Sequence, residues 1–160
     1  MAQNQPVKAI DVIPSNIINI PQPGKVAEGS SSTNGTTLTD ASGAFLDDQL
    51  SGGDVVYVNN TAEIHEILSV DDNQTITLKT AVGAAAPYNY KVYKSNGGAL
   101  KQGQLGYSLF VGTAGDLTVF PVGVDETVTL KNVANNSYVP LQVQRVLSSG
   151  TTAADILALE

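Results

Sequence analysis

The chain has no cysteine and no tryptophan, and only one methionine. It also has one histidine, His65, and one arginine, Arg145. The lack of cysteine excludes disulfide staples. Chemistry that needs a thiol, an imidazole or a cationic clamp has almost nothing to draw on. The expectation is a chain that is not an enzyme and uses no cofactor and no metal. Charge is scarce as well. Charged residues make up 14% of the chain, against about 25% in ordinary soluble domains. The formal net charge is −7, and the eight Lys and Arg residues form no run. Phosphate binding needs clustered cations, so no nucleic-acid partner is expected. No apolar run approaches the roughly 18 residues of a membrane helix. The stretch Met1–Val7 has no signal-peptide core. No membrane partner is expected, and synthesis in a reducing cytoplasm is.

Amphipathic helical patterning is almost missing too, and what replaces it is strand grammar. Short β-branched runs with a period of two alternate with Gly, Asn, Asp and Ser. Such runs cover Asp54–Val58, Ala62–Leu68, Thr75–Lys79 and Tyr88–Tyr93, then Leu105–Val111, Leu117–Phe120, Thr127–Leu130 and Tyr138–Leu147. Pro140 turns part of the last run into an edge or a bulge. Ala44–Leu50 reads as a single helical turn. Thr151–Leu159 reads as a helix or a closing strand, with strand preferred. Turn signals recur about every ten residues, which argues for sandwiches or small barrels. The expected class is all-β, with two small antiparallel β-sandwich or barrel units, the second formed with the N-terminal arm.

Residues 1–24 read as an extended arm, with apolar clusters Ala9–Ile13 and Ile17–Ile20 broken by Pro14, Pro21 and Pro23. Residues 25–104 read as an inserted β domain with flanking linkers at 25–34 and 96–104, and 105–160 as a C-terminal β domain packing with the arm. A short echo links 71–79 with 124–131, each an acidic turn feeding a Thr-apolar-Thr-Leu-Lys strand. It reads as two hairpins built by one rule.

Few residues invite a role. The arm's Ile10, Val12, Ile13, Ile17, Ile18 and Ile20 would expose much apolar surface on a free terminus. They are candidates for a subunit or capsid interface, or for an edge strand of the chain's own domain. Arg145 lies in an apolar strand, so it pairs with a carboxylate, Asp116 or Asp155, or crosses a subunit interface as a planar multi-donor group. Tyr88, Tyr90 and Tyr93 are a candidate outward recognition face for a sugar, or core and rim of a strand. His65 reads as a half-exposed strand histidine without metal partners. Asp47-Asp48 and Asp71-Asp72 lack the spacing of a calcium loop and read as turn residues.

Two segments carry a family resemblance. Phe110-Val111-Gly112-Thr113-Ala114-Gly115-Asp116-Leu117-Thr118-Val119 resembles a turn-strand signature of small phage structural proteins. Leu141–Leu147, followed by Gly150–Leu159, resembles their ending. Together with Ile13-Pro14-Ser15 they are similar to the head spike-base proteins of gene transfer agents and related tailed phages. The resemblance covers about residues 9–24 and 105–160, and residues 36–95 stand as an insertion in that plan. It implies a virion structural protein on the outer capsid surface, a decoration (cement) protein or a vertex head-spike base. A host-adsorption, glycan-binding module is the other reading. The implied partners are the major capsid protein, further copies of the chain as a homo-oligomer (a trimer, with a pentamer as alternative) and a spike fibre.

Overall fold

The computed structural model describes Pro6, residues 8–97 and residues 106–160. The chain is all-β, in two six-stranded antiparallel sheets, and no helix occurs among the described residues. It divides into a terminal unit, residues 1–23 with 98–160, and an inserted unit, residues 24–97.

The inserted unit has strands β2 (Lys25–Ser31), β3 (Gly35–Thr39), β4 (Val55–Val58), β5 (Glu63–Val70), β6 (Thr75–Val82) and β7 (Tyr88–Tyr93), in the order β2-β7-β4-β5-β6-β3. The two edge strands, β2 and β3, are joined by only three residues, so the sheet must curl. Ser32 N–H donates to Thr39 O at 2.8 Å and Thr39 N–H to Ser31 Oγ at 3.3 Å across that junction. Curling hides the free edges that would otherwise recruit foreign strands. Strands with a period of two send one side chain in two inward, and Ile76 and Leu78, then Tyr88, Tyr90 and Val92, fill the interior around Phe45 and Leu38.

The polar segment 25–34 is not a linker: Lys25–Ser31 is strand β2, paired with β7 from Lys25↔Tyr93 to Ser31↔Tyr88. Its backbone supplies the pairing, while only Ala27 packs against the core, so the sequence carries little apolar signal. Gly29 faces the interior at a point where an added Cβ would stand 1.9 Å from Asp40 Oδ2. Ala44–Leu50 is a turn closed by Asp48 N–H to Ala44 O and Leu50 N–H to Phe45 O.

The terminal unit has β1 (Ala9–Asp11), β8 (Tyr107–Thr113), β9 (Gly115–Pro121), β10 (Val128–Val133), β11 (Ser137–Val146) and β12 (Ala154–Leu159), in the order β1-β12-β8-β11-β9-β10. Leu109, Val111, Leu117, Val119, Val143, Ile156 and Ala158 are buried in it. The last segment is a strand, because β8 offers it a partner over Ala154–Leu159. Pro140 does not make β11 an edge: β11 lies between β8 and β9. The ladder to β8 shifts register between Val139 and Val143, which removes the bond a proline cannot donate. The expected second linker is described only at Asn96 and Gly97; residues 98–104, and residue 105 of the expected β8 run, lie outside the described residues.

Candidate interaction surface

The arm is an integral part of the terminal unit. Lys8 and Glu160 exchange both backbone hydrogen bonds, and β1 continues that ladder against β12. Val12 N–H then donates to Ile156 O, Ser15 N–H to Val146 O and Ile20 N–H to Gln144 O, each at 2.9 Å. Past Val143 the strand β11 has lost its pairing with β8, and the arm satisfies the exposed carbonyls there. Ile10, Ile18 and Ile20 are buried, and Val12 and Ile13 are half-buried. These five side chains pack, wholly or in part, within the chain's own terminal unit, because the terminal sheet supplies the apolar surface that the isolated arm lacks.

Ile17 is different. It is 72% exposed, at the tip of a tightly held turn. The Ser15 hydroxyl accepts from Ile17 N–H at 3.3 Å and from Ile18 N–H at 3.1 Å, a local side-chain turn that fixes the backbone. Asn16 donates from Nδ2 to Ser149 Oγ and accepts from Ser149 N–H, both at 3.0 Å. Arg145 Nε–H donates to Asn19 Oδ1 at 2.8 Å and its Nη1 to Asn16 O at 2.7 Å. The guanidinium carbon also lies 5.5 Å from the centre of the Phe120 ring, within cation–π range.

Arg145 therefore ties the arm down inside one chain, and neither expected carboxylate is its partner. Asp116 takes Lys131 Nζ at 2.7 Å and Asn132 N–H at 3.0 Å, and these bonds hold its pKa below the ordinary value. Asp155 accepts from the Thr113 hydroxyl. A backbone carbonyl and an amide oxygen serve Arg145 instead. Burial without a carboxylate lowers the Arg145 pKa.

The tyrosines do not form an outward face. Tyr88 and Tyr90 are each 1% exposed in the core of the inserted unit, since β7 turns both inward with Val92. Tyr93 points the other way and packs against Tyr57, with ring centres 4.8 Å apart and ring planes tilted by 55°. The Tyr90 hydroxyl donates to Asp40 Oδ2 at 2.8 Å, and burial together with that carboxylate raises the Tyr90 pKa.

His65 is 5% exposed rather than half-exposed. Its Nδ1 meets Thr80 Oγ1 at 2.8 Å and its Nε2 meets Glu63 Oε2 at 3.1 Å. Burial works against the charge of Glu63 but is outweighed by hydrogen bonds from Thr61, Gly83 N–H and His65, so its pKa is lowered. Asp71 accepts from Thr77 and Ser69 and is lowered for that reason, and Asp72 accepts from Gln74 N–H. Both are turn residues that organise the β5–β6 hairpin. Among the described residues, no three of His, Cys, Asp and Glu gather as a metal-binding group.

Two features escaped the sequence reading. Val124, on the turn that follows β9, and Val128, the first residue of β10, are 48% and 40% exposed. Asp125 and Glu126 lie between them, both exposed and neither held by a hydrogen bond or ion pair. The echo between 71–79 and 124–131 hid this, because the first acidic turn is knotted by its own hydrogen bonds and the second is not. The chain matches no protein family, no curated protein and no solved structure.

Proposed function

We propose that the protein is a non-enzymatic structural component of a phage-type virion. It sits on the outside of the capsid as a decoration, or cement, protein and contacts the major capsid protein. The observation that carries this reading is the layout of the chain. Residues 1–23 and 98–160 together form one compact unit, and the second unit is an excursion from it between Gly24 and Gly97. Such a layout suits a surface-gripping unit with a second module inserted in its chain. The polar side chains singled out in the sequence are engaged in holding turns and strands instead: His65 with Thr80 and Glu63, Asp71 with Ser69 and Thr77, Tyr90 with Asp40. The likeness of the 110–119 and 141–159 segments to spike-base sequences supports a place on the outer capsid surface, without choosing between the lattice and the vertex.

The test is the copy number of the protein in purified particles of the phage that carries it, by quantitative mass spectrometry against the major shell protein. A number close to that of the shell protein is expected. A number far below it overturns the cement reading and favours a vertex spike base, and absence from the particle overturns the virion reading altogether.

A further inference from the structure

Within the terminal unit, the described cations and carboxylates sort into pairs with a remainder. Lys8 faces Glu160 at 3.9 Å and Lys131 faces Asp116 at 2.7 Å. Arg145 is left without a carboxylate, its two recorded hydrogen bonds going to neutral oxygens. On the other side of the ledger, Asp11, Asp125, Glu126 and Asp155 have no cation, and of these Asp125 and Glu126 are adjacent and without any hydrogen-bond partner. That pair and Arg145 each lie beside exposed apolar side chains. Arg145 holds the turn that presents Ile17, and Val124 and Val128 flank the two acids.

We propose that these two surfaces are the halves of one contact between copies of this chain: Ile17 and Arg145 of one copy dock on the β9–β10 turn and the start of β10, Val124 to Val128, of a second. This deepens the reading of the protein as an assembling virion component, and rests on it for its biological sense. The physical reasons are three. Arg145 has N–H donors beyond the two in use, set in a planar fork that matches a carboxylate. Ile17 is a pre-ordered anchor, because the hydrogen bonds of Ser15, Asn16 and Arg145 have already fixed the turn, so little ordering cost remains at docking. The chain carries a net charge of −7, so copies repel unless a local cation meets a local acid at the contact.

The contact is confined to the β9–β10 turn and the first residue of β10. Strand β10 has a neighbour on one side only, and an open edge invites runaway pairing. Here its ladder to β9 shifts register between Leu130 and Val133, with Asn132 at φ 53° and Lys131 drawn onto Asp116. A bulge and a charged residue are the devices that block an extended strand addition. A head-to-tail contact of this kind closes into a ring when the rotation between copies allows it.

The experiment is sedimentation equilibrium of the full chain, without shells, for the wild type and for Ile17→Asp and the double change Asp125→Lys with Glu126→Lys. Thermal melting of each variant checks that it folds. The wild type is expected to self-associate, and each variant to do so at least about tenfold more weakly, as loss of an interface anchor does. An equal mixture of the two variants keeps one intact contact and is expected to give mixed dimers. A wild type that stays monomeric, variants that associate as tightly as it does, or a mixture that stays monomeric each overturns the inference. Co-sedimentation of the monomeric variants with shells is read separately. Failure to bind shells while the wild type self-associates strikes the capsid reading, and shell binding by a monomeric wild type strikes only this one.

Discussion

The hydroxyl of Tyr90 donates to Asp40 Oδ2 at 2.8 Å, inside the inserted unit and directly beneath Gly29. This bond joins the middle of β7 to the residue just after β3, and the two strands are not neighbours in the sheet. It helps hold the curl. Asp40 uses its other oxygen to accept Ser42 N–H at 2.8 Å, so the buried carboxylate is satisfied by these two donors.

Tyr90→Phe is expected to cost about 1–3 kcal/mol, the penalty for leaving a buried acceptor short of a donor. Gly29→Ala is expected to cost more, because its Cβ would meet Asp40 Oδ2 at 1.9 Å and the Tyr90 oxygen at 2.9 Å, and neither can retreat within a packed interior. Urea denaturation of the full chain measures both. A Gly29→Ala protein as stable as the wild type would show that the contact yields easily.

The arm isoleucines separate into two kinds. Ile20→Ala is expected to destabilise the terminal unit by about 2–5 kcal/mol, as truncation of a buried isoleucine does. Ile17→Ala is expected to stay within about 0.5 kcal/mol of the wild type, as exposed positions do. Denaturation midpoints of the two variants decide it, and equal effects would refute the division between anchor and core.

Stability is expected to fall on acidification through the group around Glu63. Its folded-state pKa lies below the ordinary value of 4.5. A depressed carboxylate contributes stability that is fully present above its unfolded pKa and is lost as pH falls from there through the folded one. The loss therefore sets in below about pH 4.5. Glu63→Gln keeps the shape but cannot ionise, so its stability should vary less over that window. Melting temperatures of both proteins from pH 6 to pH 3 test this. Parallel curves would exclude Glu63 as a source of the slope.

Much of the strand content was legible because alternation is local. Ile76 and Leu78 against Thr75 and Thr77 declare a half-buried strand in any fold, and the Gly and Asn turns between runs mark where each ends. Strand β2 was not legible. Lys25–Ser31 has little apolar character of its own, and its extended form is fixed by pairing with β7, which lies more than fifty residues away. The same limit applied to the singled-out side chains. Alternation tells which residues share a face, but not whether that face looks inward, so Tyr88 and Tyr90 could not be told from a recognition surface.

The sequence by itself determined that the chain would be all-β, short of the side chains most catalysis uses, and broken into short strands by frequent turns, because these follow from composition and from the two-residue period. Only the tertiary structure decided that Ile18 and Ile20 are core while Ile17 is surface, and that Arg145 meets Asn19 and Asn16 instead of Asp116 or Asp155. Those outcomes depend on which carbonyls the β11 bulge leaves unpaired and on where the arm must run to reach them. That is a matter of register between segments over a hundred residues apart, and no local pattern carries it.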